Sequence, residues 1–327
     1  MTVSPLADEG TPDERISWVR DHRSPEPAAI SLVIVTYNNG KGLLECLHSV
    51  QDQTFRSFEI IIVDNGNTGR FAGKISGNYV YVRLRRNYGL NVGRNIGARF
   101  SRADILAFLD DDCILESNHI RNSLEFLKRE GCYGFRGRIR PLTRSVYNVF
   151  QSHYDLGDDS FPHLINTEGN CVLRKECLFE VGGWEESLDF AGGHEGLLLS
   201  YKLVSRYGRE GLRYFPDAII RHDFSDSFLK IIKKDLRHDV FSRKLLRERP
   251  ELRIFRESYA IGSPLKNDLN EDSCRWSARL AKTAREKILG RPALKRFLYR
   301  FFYRSRREAV REFYKELTEK FMRACKG

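Results

Sequence analysis

The chain has 327 residues, of which 41% are apolar, and its formal net charge at pH 7 is +11. This length accommodates one large α/β domain with an extension, or two domains. We find no apolar run of about 18 residues, the length that a membrane-spanning helix needs. The positive charge favours an anionic partner without naming it. The seven Cys residues lack metal-ligand spacing, so we expect a cytoplasmic protein that uses Cys as a small apolar side chain.

Strand and helix patterns alternate from residue 30 onward. Residues 1–29 lack an apolar segment and are rich in Pro, Asp and Glu, so we interpret them as a mobile leader and not as a signal peptide. Apolar runs predict buried strands at 30–37, 58–63, 79–84 and 104–109, with helices between them. Such alternation predicts a parallel sheet with helices on both faces. A dinucleotide-binding dehydrogenase is disfavoured because no G-x-G-x-x-G turn follows the first strand.

Three carboxylates, Asp110, Asp111 and Asp112, follow the fourth predicted strand. Side chains alternate along an extended segment, so Asp110 and Asp112 should point to one side and Asp111 to the other. Ligands of open α/β sheets lie beyond the carboxyl ends of the strands, where Asp64 also stands. Two carboxylates on one side suit Mg²⁺ or Mn²⁺. The alternative is a solvated acidic turn that caps the next helix.

Basic residues concentrate at the end of the chain. Arg291–Gly327 contains twelve Lys and Arg against four Glu, a net charge of +8. Apolar residues at three- and four-residue spacing there predict amphipathic helices with a basic face, within a helical extension that covers 224–327. Such helices suit an anionic membrane, so we expect peripheral association with the inner face of the membrane. Packing on the catalytic domain is the alternative, and nucleic acid is a weaker one because no nucleic-acid-binding motif accompanies the charge.

Five motifs occur in order between residues 30 and 222. They are Val33-Ile34-Val35-Thr36-Tyr37-Asn38, Asp64-Asn65-Gly66, Asn87-Tyr88-Gly89 with Gly93-Arg94-Asn95-Ile96-Gly97, Asp110-Asp111-Asp112, and Gly169-Asn170 with Gly182-Gly183-Trp184. Together they resemble the family 2 glycosyltransferases of the GT-A fold. The resemblance implies a mostly parallel central sheet flanked by helices, with a nucleotide-sugar half at 30–115 and an acceptor half at 116–223.

The resemblance also implies an activity and roles for single residues. It implies an inverting, metal-dependent transfer from a UDP-, GDP- or dTDP-linked sugar to a hydroxyl of a glycan, a lipid-linked glycan or a peptide. Donor binding falls to Thr36, Tyr37, Asp64, Asn87, Gly89, Arg94, Asp110 and Asp111. Acceptor binding falls to Gly169, Asn170, Trp184 and His194. Asp112 and His222 would hold Mn²⁺ or Mg²⁺, which neutralises the leaving diphosphate. Arg94, near a helix N-terminus that favours anions, contacts phosphate or base, or supports the metal turn.

An inverting transfer needs a base for the acceptor proton. The family places it in a Glu-Asp pair that opens a helix after the Gly-Gly-Trp segment, and here Glu195 is the one carboxylate of the corresponding stretch. We therefore expect Glu195 as the base, with His194 in reserve and Asp189 as a weaker alternative. Gly196 replaces the usual second acid, or that acid is displaced. That departure leaves open a non-catalytic membrane- or nucleic-acid-binding protein on a degenerate transferase core. A nucleotidyltransferase would need a Gly-rich phosphate loop after the first strand, which is missing.

Overall fold

The computed structural model describes residues 13–66, 73, 75–143, 148, 153–190 and 193–260, and a few residues between 283 and 298. In chain order its elements are β1 (Ile16–Asp21), β2 (Ile30–Thr36), α1 (Gly40–Gln51), β3 (Phe58–Asp64), β4 (Tyr79–Leu84), α2 (Leu90–Phe100), β5 (Ile105–Asp110), β6 (Ile114–Leu115), α3 (His119–Glu130), β7 (Gly134–Arg140), β8 (Phe161–Pro162), β9 (Asn170–Arg174), α4 (Lys175–Glu180), a 3₁₀ turn (Glu186–Leu188), α5 (Glu195–Tyr207), β10 (Leu212–Arg221), α6 (Phe228–Glu248) and α7 (Pro250–Ala260).

One sheet runs through the described chain in the order β1-β4-β3-β2-β5-β9-β7-β10-β6, and β8 pairs with β10. The four neighbours β4, β3, β2 and β5 are parallel. Strand β9 runs antiparallel between β5 and β7, whereas β7 and β10 are parallel to each other. Every residue of β2 is buried because helices cover both faces of this half. The predicted α/β fold with a largely parallel sheet is confirmed.

Strand β1 corrects the prediction for residues 1–29. Residues 16–21, which we interpreted as part of a mobile leader, pair antiparallel with β4. The ring of Trp18 stacks on that of Tyr81 with centroids 5.4 Å apart. This pairing protects the edge of β4, which would otherwise present unpaired backbone groups to solvent. Residues 1–12 lie outside the described part of the chain.

Helix α2 packs unusually close to the sheet. A Cβ atom built on Gly93 would lie 2.5 Å from Val35 Cγ1, and one on Gly97 would lie 2.4 Å from Val33 Cγ1. Both distances are shorter than any real carbon contact, so these positions need glycine. Their role is helix packing, which brings the N-terminal half of α2 next to the end of β5.

Helices α6 and α7 pack on the acceptor half of the sheet domain. Leu252 and Tyr259 of α7 share an apolar cluster with Leu197 and Leu198 of α5. Among the described residues, no helix combines the length and the apolar character that crossing a membrane requires. Most of the basic segment 291–327 lies outside the described residues. Its contact with an anionic membrane therefore stays a prediction.

Candidate active site

A cleft of about 1050 Å³ opens at the carboxyl ends of β2 and β5, and the start of α5 and helices α6 and α7 form its other walls. The structure brings many of the predicted site residues together here. Those that line the cleft are Tyr37, Arg94, Asp110, Asp111, Asp112, Gly169, His194, Glu195 and His222.

Asp110, Asp112 and His222 form a potential metal site on one side of the cleft. One ligand atom from each lies within 4.8 Å of the other two. The pairing of Ile114 in β6 with Arg221 in β10 brings the acidic turn beside His222. Two carboxylates and an imidazole suit Mn²⁺ and accept Mg²⁺ less readily. Asp110, which the resemblance assigned to the donor, therefore groups with the two predicted metal ligands.

Asp112 and His222 stabilise each other's charged forms. His222 Nε2 lies 3.2 Å from Asp112 Oδ1. Burial acts to raise the pKa of Asp112, but the hydrogen bond from His222 brings that pKa below its usual value. Burial likewise acts to lower the pKa of His222, and the hydrogen bond to Asp112 raises it above its usual value. A cation that binds here would compete with the proton on His222.

Asp111 lies outside the cluster, in a turn that follows β5 and not in the extended segment that the sequence analysis assumed. Its Oδ1 accepts a hydrogen bond of 3.0 Å from Asn39 Nδ2, and Asn39 Oδ1 accepts from Gly42 N at the start of α1. Burial raises the pKa of Asp111 to about 6. Asp111 thus connects the acidic turn to α1, which fixes the direction of its two neighbours.

Two residues hold Asp110 in place. A Cβ atom on residue 169 would lie 2.0 Å from Asp110 Oδ2, so only glycine lets this loop pass the carboxylate. The guanidinium of Arg94 lies over the ring of Trp184 at 4.6 Å from its centroid, and Nη2 is 3.9 Å from Asp110 Oδ1. Of the roles that the sequence left open for Arg94, support of the metal turn is the one with a contact in the structure.

Full burial corrects the acceptor roles of Trp184 and Asn170. Trp184 is 1% exposed and packs edge-on against Phe108, beneath Arg94. Asn170 is fully buried, and its Nδ2 donates to the carbonyls of Arg138 and Ala218 at 2.9 and 3.0 Å. Neither side chain reaches the cleft. Both therefore support residues that do reach it.

Four predicted donor residues also lie off the cleft lining. Thr36 and Asp64 are fully buried, and Asp64 Oδ2 accepts a 2.7 Å hydrogen bond from the Tyr81 hydroxyl. Asn87 Oδ1 accepts from the backbone N–H of Gly89 at 3.0 Å, in the turn before α2. Thr36 and Asp64 therefore shape the strand ends, whereas Asn87 and Gly89 shape the turn before α2.

Asp189, the weaker candidate base, caps helix α2. Its two carboxylate oxygens accept hydrogen bonds from Asn91 N at 2.8 Å and Val92 N at 2.9 Å. The anion-binding N-terminus of α2 is therefore already occupied by a side chain of the protein. This assigns Asp189 a structural role and removes the helix terminus as a phosphate site.

A second carboxylate, Glu168, lies in the cleft near Glu195, and the sequence analysis missed it. Its Oε1 accepts a 2.9 Å hydrogen bond from the backbone N–H of Gly196. Burial raises the pKa of Glu168, and the nearby charge of Glu195 raises it further. The available signal was its position directly before Gly169, in a motif already recognised. We had sought a second acid only after the Gly-Gly-Trp segment.

His194 and the opposite wall complete the cleft. His194 begins α5 in a left-handed conformation, with φ of 73°, and its ring lies 4.4 Å from that of His238. Burial lowers the pKa of His194 to about 4, so this side chain is neutral at pH 7. Basic side chains from α6 and α7 line the wall that faces the acidic turn, namely Lys234, Arg237, His238 and Arg256.

Part of the sequence is similar to known proteins. Residues 31–184 match the family model of glycosyl transferase family 2. Poly(ribitol-phosphate) β-N-acetylglucosaminyltransferase TarP of Staphylococcus aureus (strain N315) is 30% identical over 132 residues, which are 36% of this chain and 40% of TarP. Glycosyltransferase GlyG of Streptococcus pneumoniae serotype 4 is 28% identical over 167 residues, which are 48% of this chain and 51% of GlyG.

The chain thus spans about half, or less, of the length of these curated relatives. Among solved structures, S. aureus TarS 1–349 is 17% identical with a TM-score of 0.47, over 86% of this chain and 91% of that one. Residues 31–184, just under half of the chain, thus match glycosyl transferase family 2, the family that the sequence motifs resemble.

Proposed function

We propose that this protein transfers a sugar, with inversion, from a nucleotide-diphosphate donor to a hydroxyl of a glycan acceptor. The observation that carries the proposal is the clustering of Asp110, Asp112 and His222 in the cleft that also holds Glu168 and Glu195. A site for diphosphate and a site for proton removal are the two elements that such a single displacement needs.

Each group has a task in the displacement. A divalent cation held by Asp110, Asp112 and His222 would supply positive charge for the diphosphate as it leaves. Tyr37, which is 51% exposed at the end of β2, is placed to cover the nucleotide base. The acceptor oxygen bonds to the anomeric carbon as the bond from that carbon to the diphosphate oxygen breaks. The electron pair leaves with the diphosphate, and the acceptor proton goes to a carboxylate of the acidic pair.

The basic wall favours an acceptor that carries negative charge. Lys234, Arg237 and Arg256 face the cleft from α6 and α7, and such side chains attract phosphate or carboxylate groups. The relative TarP is named for a poly(ribitol-phosphate) acceptor. By analogy, we propose a phosphate-bearing or otherwise acidic glycan as the acceptor class here.

Nucleotide binding tests the proposal first. UDP, GDP and dTDP are added to the protein with and without Mn²⁺, and the melting temperature is measured. A ligand at 100 times its Kd stabilises the folded state by about 2.7 kcal/mol. We expect one nucleotide to stabilise the wild type only with Mn²⁺, and Asp112→Ala to lose that shift. The control is Asp104→Ala, which removes an exposed carboxylate at the other end of β5.

Transfer is then measured with the matching sugar nucleotide and both neutral and phosphate-bearing glycans. Release of nucleoside diphosphate that depends on the acceptor supports the proposal. A wild-type protein that binds none of the nucleotides, or that turns over no donor, contradicts it. In that case the alternative of a non-catalytic protein on a degenerate transferase core gains weight.

A further inference from the structure

We propose that Glu168, and not Glu195, is the general base that takes the acceptor proton, an inference that rests on the glycosyl transfer proposed above. Glu168 lies in the loop before β9, outside the helix start where the family places its acid. The evidence is the way its carboxylate fills the space beside Gly196.

The carboxylate of Glu168 occupies the place of a side chain at position 196. A Cβ atom built on Gly196 would lie 2.4 Å from the backbone carbonyl oxygen of Ile165 and 2.5 Å from Glu168 Oε1. A side chain at position 196 would therefore have to displace both the loop backbone at Ile165 and the Glu168 carboxylate. Because residue 196 is glycine, the loop carboxylate takes over the position at the second residue of α5, directly next to Glu195.

Glu168 is held in a fixed direction. Its Oε1 accepts a hydrogen bond from Gly196 N at 2.9 Å, and the backbone of Glu168 itself also interacts with the carboxylate. In the proposal, the acceptor hydroxyl approaches the other oxygen, Oε2. The next residue, Gly169, packs against Asp110. The loop that carries the base therefore also contacts the metal cluster. An in-line attack on the anomeric carbon requires the base on the face of the sugar opposite the leaving diphosphate. The sugar would therefore lie between Glu168 and the metal cluster.

Several charged or titratable groups face Glu168. They are Glu195 at the start of α5, Arg94 on α2, Arg136 on β7, Cys171 on β9, His238 on α6, and Tyr154. Burial and the charge of Glu195 raise the pKa of Glu168, whereas Arg94 lowers it. A raised pKa makes a carboxylate a stronger base, so Glu195 acts as a positioning residue that tunes its neighbour.

Two isosteric substitutions separate the candidates. Glu168→Gln keeps an oxygen for the Gly196 N–H but removes the base, so we expect kcat to fall by about 10²- to 10⁴-fold. The metal-dependent melting shift with nucleotide should be unchanged, because the donor site is intact. Glu195→Gln should keep kcat within about tenfold of wild type. In this variant the acidic limb of the pH profile of kcat/KM should move to lower pH by about one unit. The reason is that removal of the negative charge of residue 195 lowers the pKa of Glu168.

The control is Glu125→Gln, which changes an exposed carboxylate on α3 and should match wild type. A Glu168→Gln protein with kcat within tenfold of wild type would overturn the assignment. So would a larger loss in Glu195→Gln, which would return the base to α5. These results can be distinguished from failure of the proposed function itself. In that case the wild type transfers no sugar, and both the proposed glycosyl transfer and the assignment of Glu168 as base are refuted.

Discussion

Replacement of Gly169 by Ala tests whether the loop before β9 holds the metal site. The added Cβ would lie 2.0 Å from Asp110 Oδ2 and 2.1 Å from its Cγ. A relaxed contact needs about 3.4 Å, so Asp110 must move by roughly 1.4 Å. Metal–ligand distances tolerate only about 0.2 Å of error, so Asp110 would cease to coordinate. We expect metal-dependent nucleotide affinity to fall about 10- to 100-fold, the range reported for loss of support around metal ligands.

Isothermal titration calorimetry with Mn²⁺ and the nucleotide found by thermal shift measures this loss. Gly73→Ala is the matched control, since a Cβ on Gly73 meets nothing within 4 Å. The variant should remain folded by circular dichroism, because a moved carboxylate can turn into the cleft. Metal-dependent affinity within twofold of wild type would refute the reasoning, since Asp110 would then not be a ligand whose position depends on Gly169.

Two predictions concern stability. Glu59 has a fully buried side chain between Arg23 at 3.2 Å and Arg102 at 3.1 Å; Glu59→Gln should lower the free energy of unfolding by about 3 kcal/mol in urea denaturation. Burial acts to raise the pKa of Glu59, but its hydrogen bonds and these arginines hold it below its usual value. Its stabilisation is therefore complete above about pH 4.3 and lost as pH falls through the folded-state pKa, so wild type and variant should converge in acid. Trp184→Ala should cost about 3–5 kcal/mol, because it removes a fully buried ring from Phe108 and Arg94. A difference below about 1 kcal/mol, in either variant at pH 7, would contradict the packing described.

The sequence was sufficient for features that local pattern determines. Buried strands read as apolar runs, and a run that ends in Asp110, Asp111 and Asp112 places carboxylates at a sheet edge whatever the rest of the chain does. Alternation along an extended segment predicted that Asp111 would point away from Asp110 and Asp112. Residues 111 and 112 instead form a turn, from which Asp111 bonds to Asn39. The joining of His222 to this turn rested on the family resemblance, since the pairing of β6 with β10 is a long-range contact.

The motifs did not indicate which of their side chains are buried. Trp184 and Asn170 belong to motifs that resemble acceptor-side segments, yet both side chains point into the core. A motif records that a residue type is needed at a position, and it does not record whether the need is packing or contact with a ligand. Strand β1 was missed for a related reason: six residues amid Pro and acidic residues have little pattern of their own, and their partner β4 lies more than 60 residues away.

Gly196 is the position at which the site departs most from the family pattern, and this departure accounts for the position of Glu168. Taken alone, glycine in place of the second acid suggested that the catalytic machinery was incomplete. In the folded chain the same glycine leaves space and a free N–H, and Glu168 uses both. A carboxylate can therefore move between a helix start and a neighbouring loop while its position in the cleft changes little, because the backbone N–H that orients it stays in place. Loss of a motif residue indicates loss of activity only when no nearby side chain can enter the vacated volume.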